Sequence, residues 1–126
     1  LRGLHFQIPP YAQGKLVRAI SGSLLDVAVD LRKSSPTYGK HFSVILSKEN
    51  SKIFYIPEGF AHGFLSLEDD TIISYKCTGD YNQSSEGSLM WDDKDLNIDW
   101  GVQNPIISKK DSLASSFNSF ITPFNE

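Results

Sequence analysis

Cysteine is nearly missing from this chain. Cys77 is the only one, which excludes an internal disulfide and, with no Cys-x-x-Cys pair, a cysteine-built zinc site. A reducing cytosol suits such a sequence, and Cys77 itself reads as a small buried hydrophobe. Positive charge is also in short supply. Twelve basic against fifteen acidic residues leave a net charge of −3, the wrong balance for a general nucleic-acid or membrane-surface binder but not for a local anion site. No apolar run approaches the roughly 18 residues that a membrane helix needs, and no charged stretch precedes a short apolar one. Neither a transmembrane span nor a signal peptide is therefore expected, and the protein reads as cytoplasmic. Internal repeats, low-complexity tracts and linkers are missing too. The 126 residues suit a single domain, able to bury roughly 65–70% of the surface its unfolded chain exposes.

What is present is a succession of short alternating segments. Residues 15–21 and 24–30 flank the turn Ser21-Gly22-Ser23 and read as a hairpin, with Leu25, Val27 and Val29 on one face and Asp26 and Asp30 on the other. A long connection rich in Ser, Pro and Gly follows at 32–39. Residues 41–46, 52–56, 61–66 and 71–77 resume the β pattern, the last two joined by the acidic loop Glu68-Asp69-Asp70. Pro57 and Gly59 mark a sharp turn before Phe60. With the segment around His5 these make seven short strands, which predict an all-β double-sheet sandwich or barrel. Residues 88–91 read as one last strand and Asp92-Asp93-Lys94-Asp95 as a solvated turn. A short helix is expected to open at Ser108-Lys109-Lys110-Asp111, and the tail from Asn118 to lie on the surface or dock on a partner.

Three histidines on such a scaffold raise the question of a metal. Pro57-x-Gly59-x-x-His62 resembles half of the ligand pattern of metal-binding cupins, whose other half needs a His-x-His pair and a carboxylate. Here the partner strand reads His5-Phe6-Gln7, with Gln7 where the second imidazole would stand. His41 follows Lys40 on a different strand and is expected to face solvent. No metal is expected on this count. What remains is the imidazoles of His5 and His62, the phenols of Tyr75 and Tyr81, the Lys15 ammonium and the Asp111 carboxylate. A neutral imidazole can take a proton near pH 7, a phenol can return one from the opposite face, and a cation can stabilise an enolate between the two steps. Each group also has a plain structural reading. His62 could be a satisfied core histidine, Tyr75 a strand aromatic, Asp111 a helix cap, Lys15 and Arg2 surface charges, and Tyr81 loop packing.

The motifs Arg2-Gly3-Leu4-His5-Phe6-Gln7, Gln13-Gly14-Lys15-Leu16-Val17, Leu25-Asp26-Val27-Ala28-Val29-Asp30-Leu31-Arg32, Ser35-Pro36-Thr37-Tyr38-Gly39, Tyr75-Lys76 and Asp80-Tyr81-Asn82, with residues 56–64, resemble the dTDP-4-dehydrorhamnose 3,5-epimerase family. So do Trp91-Asp92-Asp93, Ile98-Asp99-Trp100 and Pro105-Ile106-Ile107-Ser108-Lys109-Lys110-Asp111, so that the likeness runs over nearly the whole chain in order. The resemblance implies a cupin-like jelly roll, usually a homodimer. The implied reaction inverts C3 and C5 of dTDP-4-dehydro-6-deoxy-D-glucose without a cofactor, because the substrate's ketone acidifies both carbons. His5 matches the base, Asp111 the carboxylate that orients it, Tyr75 the acid, and Lys15 the cation that steadies the enolate. Arg2, Gln7, His62, Tyr81, Glu86 and Lys110 match substrate-binding positions, with Arg2 on the diphosphate and Tyr81 stacked on thymine.

Family members also carry a segment ahead of the Arg-Gly-Leu-His motif that reaches the neighbouring subunit's nucleotide site. The natural protein is therefore expected to be longer, or this length of chain to bind its nucleotide poorly. Two alternatives stay open: an epimerase of a single carbon on a related sugar nucleotide, and a noncatalytic module that only binds sugar nucleotides.

Overall fold

In the computed structural model, which describes residues 1–125, eight strands form two antiparallel sheets. The strands are β1 (Arg2–Gln7), β2 (Lys15–Ser21), β3 (Ser23–Asp30), β4 (His41–Ser47), β5 (Ile53–Ile56), β6 (Phe60–Ser66), β7 (Ile72–Cys77) and β8 (Glu86–Ser88). The larger sheet runs β4-β3-β6-β1-β8 and the smaller β5-β2-β7. One helical turn, α1 (Lys109–Ser112), follows near the end. The double-sheet architecture agrees with the expectation from the strand spacing, and its cupin-like form with what the family resemblance implies.

Sheet membership differs from that expectation in one place. The segments on either side of Ser21-Gly22-Ser23 are not hairpin partners, because β2 pairs with β5 and β7 while β3 pairs with β4 and β6. The turn instead carries the chain from one sheet to the other, as does the acidic loop between β6 and β7. Alternation reports which residues share a face, and it is blind to which strand lies alongside.

The larger sheet is buried on both sides. Toward the smaller sheet, Leu24, Ala28 and Leu46 pack with Val17, Ala19 and Ile56. On its other side, Leu4, Phe6, Val27, Val29 and Leu65 are covered by the C-terminal segment through Leu96, Trp100 and Phe124. Each fully buried leucine contributes about 1.5–3 kcal/mol relative to exposure. The tail expected at the surface is thus a structural layer: the Phe6 ring meets Phe120 and Phe124 edge-on at 5.4 and 6.0 Å. The expected strand at 88–91 is displaced upstream to β8, and Leu89 makes a single bridge to Ser115.

Both faces of β3 are covered, so Asp26 and Asp30, on the face opposite Leu25, Val27 and Val29, are fully buried. Asp30 gathers the Ser-Pro-Gly-rich connection around itself, accepting from the Arg32 backbone N–H and guanidinium and from the Ser35 and Thr37 hydroxyls. Burial would raise its pKa, but the Arg32, Ser35 and Thr37 hydrogen bonds outweigh that and hold the carboxyl far below the usual carboxylate range.

Candidate active site

Across the larger sheet, His5 of β1 and His62 of β6 are directly opposed, which sets the two imidazoles side by side. The approach of these strands depends on Gly3, whose φ is +131° and at which a Cβ would lie 2.5 Å from the Gly63 Cα. From the smaller sheet, Tyr75 pairs with the inward-facing Val17, and Lys15 pairs with Cys77. Arg2, His5, Lys15, His62, Phe64 and Tyr75 consequently line one cavity of about 60 Å³, imidazoles on one wall and phenol and ammonium on the other. It adjoins an outer cleft of about 200 Å³, where Gln7, Gln13, Cys77, Tyr81 and Glu86 join the lining.

Each imidazole is held by a carboxylate. His5 Nε2 lies 2.5 Å from Asp111 Oδ1, and Asp111 Oδ2 accepts from the Gly3 backbone N–H at 3.2 Å. The second bond places Asp111 against β1, and Ser108, not Asp111, caps α1, its hydroxyl accepting from the Asp111 N–H at 3.1 Å. Burial pushes the Asp111 pKa up, but the His5 hydrogen bond, the Gly3 N–H, the His5 charge and Ser108 together bring it below the ordinary value. An ionised carboxylate can only accept, so it favours the His5 tautomer that donates from Nε2–H and leaves the Nδ1 lone pair free to act as a base. Nδ1 lies 4.0 Å from Glu86 Oε1.

The second pair is His62 Nε2 to Asp26 Oδ1 at 2.5 Å. Here the carboxylate has no other tie: Asp26 Oδ2 is buried without a hydrogen-bond partner among the described residues. Lys15 is shifted below the ordinary lysine value, chiefly by burial, with Arg2 adding and Cys77, Asp26 and Glu86 opposing. An ammonium in that state is poorly solvated and is well placed to meet negative charge developing on a ligand oxygen.

At the rim, Glu86 accepts from Lys110 and, at 2.8 Å, from the Tyr81 hydroxyl. Burial raises the Glu86 pKa, but the Lys110 and Tyr81 hydrogen bonds and the Lys110 and His5 charges bring it down overall. Lys110 is raised by its bond to Glu86.

Of the residues singled out from sequence, Arg2, His5, Lys15, His62 and Tyr75 share the cavity. Asp111 stands behind His5, Gln7, Tyr81 and Glu86 border the outer cleft, and Lys110 reaches the site only through Glu86. His41 is exposed, as expected. Cys77, read as a buried hydrophobe, is exposed instead, because its position on β7 places it at the mouth of the cleft. Asp26 was missed altogether. Its signal was an aspartate within Leu24-Leu25-Asp26-Val27-Ala28-Val29, where a carboxylate is tolerated only with a buried partner.

A sequence profile described as dTDP-4-dehydrorhamnose 3,5-epimerase matches residues 1–119. The chain belongs to the dTDP-4-dehydrorhamnose 3,5-epimerase family. It is 54% identical over 117 residues to the Shigella flexneri dTDP-4-dehydrorhamnose 3,5-epimerase, an alignment covering 93% of this chain and 65% of that one. Among solved structures, the dTDP-4-dehydrorhamnose 3,5-epimerase of Elizabethkingia anophelis NUHP1 superposes with a TM-score of 0.91 at 49% identity, covering 93% of this chain and 65% of that one. The Legionella pneumophila dTDP-6-deoxy-D-glucose-3,5-epimerase, solved in complex with dTDP-4-keto-L-rhamnose, gives 0.90 at 45% identity, covering 95% and 64%. The chain thus spans just under two thirds of the length of these family members.

Proposed function

We propose that the protein is an isomerase that converts dTDP-4-dehydro-6-deoxy-D-glucose to dTDP-4-dehydro-L-rhamnose by inverting C3 and C5, with no cofactor. The observation that carries this reading is the opposition of the Asp111-held His5 and Tyr75 on facing walls of one cavity, with His62 on the His5 wall and Lys15 on the Tyr75 wall. His5 Nδ1 takes the proton from the carbon beside the C4 ketone, and the C–H electron pair moves to make an enolate whose charge rests on O4. The Lys15 ammonium meets that oxygen, and His62 borders the substrate beside it. Tyr75 then delivers its hydroxyl proton to the opposite face as the carbonyl re-forms. His5 is left protonated and Tyr75 ionised, and both exchange with water before the next carbon is inverted. Positioned acid–base groups of this kind contribute about 10²–10⁴-fold each.

Arg2 is assigned to the diphosphate and Tyr81 to stacking on thymine, with Glu86 and Lys110 beside it, which matches fixed positive charge and a flat ring to the ligand's chemistry. We also assign the protein to the cytoplasm, which an exposed unpaired Cys77 suits, and to a homodimer. Leu16, Ile20, Ile53, Tyr55 and Ile72, all exposed on the smaller sheet, support self-association.

Deuterium oxide tests the reading. Incubation with the 4-keto sugar nucleotide should place deuterium at C3 and C5, read by product NMR. Label at one carbon only would make this a single-carbon epimerase. A folded protein that binds the nucleotide sugar and exchanges neither carbon would be a binding module.

A further inference from the structure

Beneath the Tyr81 loop, two glutamine side chains hold backbone groups, and one of them, Gln7, is a residue that the family resemblance puts at a substrate-binding position. Gln7 ends β1 and is only 6% exposed. Its Nε2 donates to the Tyr11 carbonyl at 2.7 Å and to the Asp80 carbonyl at 3.1 Å, while its Oε1 accepts from the Asn82 N–H at 3.0 Å. Both amide hydrogens are spent on backbone, and the partners dictate the orientation of the group, since only the nitrogen can serve two carbonyls and only the oxygen an N–H. Gln13 adds a fourth tie, Nε2 to the Gly79 carbonyl at 2.7 Å. Residues 79, 80 and 82 are therefore each fastened by a glutamine amide, and the residue left between them is Tyr81.

The Tyr81 ring stands out from this platform, 68% exposed, with its hydroxyl on Glu86. The ties continue downstream. Asn82 Oδ1 caps the single 3₁₀ turn Gln83–Ser85 by accepting from the Ser85 N–H at 3.1 Å. Glu86 then opens β8 directly opposite Gln7. An imidazole at position 7 could not do this, having one donor and one acceptor when neutral, too few for three backbone groups.

We propose that Gln7, assisted by Gln13, is a positioning residue for nucleotide recognition: the two amides hold loop 79–82 so that Tyr81 stands ready at the outer cleft to stack on the base of a nucleoside diphosphate sugar. Gln7 itself does not touch the ligand. The inference rests on the reading of the site given above. Its physical content is pre-organisation, because a loop already ordered does not lose that freedom on binding. The base of the ligand meets a ring whose backbone is fixed on both sides.

The test is a calorimetric titration of the full chain with dTDP, together with steady-state kinetics on the 4-keto sugar nucleotide, for Gln7→Met, Gln13→Met, Tyr81→Ala and the Gln7→Met/Tyr81→Ala double variant. Gln7→Met should raise the dTDP Kd and the KM by about tenfold while kcat stays within about twofold. In the Tyr81→Ala background the same change should cost less than about twofold, because the ring it positions is gone. Unchanged dTDP affinity in a folded Gln7→Met protein overturns the proposal, as does a loss confined to kcat or full multiplication of the two single effects. If Gln7→Met does not fold, Gln13→Met carries the test, with a rise of about threefold expected and none overturning it. Wild-type protein that is folded but binds no dTDP removes the site reading itself, a result distinct from any of these.

Discussion

The two histidine–carboxylate pairs share one distance and differ in everything behind it. Asp111 is tied twice, to His5 and to the Gly3 backbone N–H, and it comes from a segment that lies outside the sheet. Asp26 sits inside the sheet on β3, completely buried, with one oxygen on His62 and the other unpartnered among the described residues. A doubly anchored carboxylate holds one orientation and one charge state, which is what a base needs to be reset each turnover. A singly anchored one holds its imidazole in place and keeps an acceptor in reserve close to Lys15. On the proposed mechanism, the same pair of residue types supports proton removal in one position and substrate binding in the other, and the difference lies in the outer partners.

That contrast can be broken most directly at the carboxylates. Asp111→Asn should lower the rate of deuterium exchange by about 10²–10⁴-fold, since an amide cannot fix the neutral tautomer of His5 in the same way. Asp26→Asn should cost less, about tenfold in kcat, because it loosens a group that borders the substrate but moves no proton. If the two losses came out equal in size, or Asp26→Asn the larger, the division of labour would be wrong.

Tyr75→Phe sharpens the same contrast from the opposite wall. Net inversion should fall by about 10²-fold or more, with some exchange surviving because abstraction precedes reprotonation. Identical losses in both measurements would contradict the assignment.

Next in size is the alkaline limb of the pH–rate profile. The proposed mechanism uses Lys15 as a cation, and its pKa is depressed, so kcat should fall as pH rises through that depressed value, before an ordinary lysine would titrate. Lys15→Arg, whose charge persists to much higher pH, should remove the limb even though its geometry lowers the rate.

The smallest effect expected is on acid stability. The Asp111 pKa lies below its ordinary value in the folded protein, so its contribution is complete above the unfolded value and is lost as pH falls through the folded one. The melting-temperature gap between wild type and Asp111→Asn should accordingly narrow from neutral pH down to about pH 3. A gap that widens on acidification would reverse the sign of the argument.

Most of the fold could be read from sequence because short apolar segments bounded by Gly, Pro, Ser, Asn and Asp mark the strands, with period-two alternation clear in β3. What alternation cannot supply is adjacency, and Ser21-Gly22-Ser23 therefore reads as a hairpin turn although it joins two sheets. The same limit hid Asp26: a polar residue alternating with Leu25 and Val27 looks solvent-facing unless one knows that a second sheet covers that face, and its partner His62 is 36 residues away. Cys77 failed for the opposite reason, a residue type usually buried that sits where the inter-sheet space opens. His5, Lys15, His62, Tyr75 and Asp111 were legible only through family motifs, since nothing in composition or spacing could say that the two walls would face each other.

The tie between His5 and Asp111 joins positions 106 residues apart in the chain. Because the C-terminal segment that brings Asp111 to His5 also completes the core over Leu4 and Phe6, enzyme turnover and the spectroscopic signal of the sheets should return together after dilution from denaturant, making activity a gauge of the whole fold.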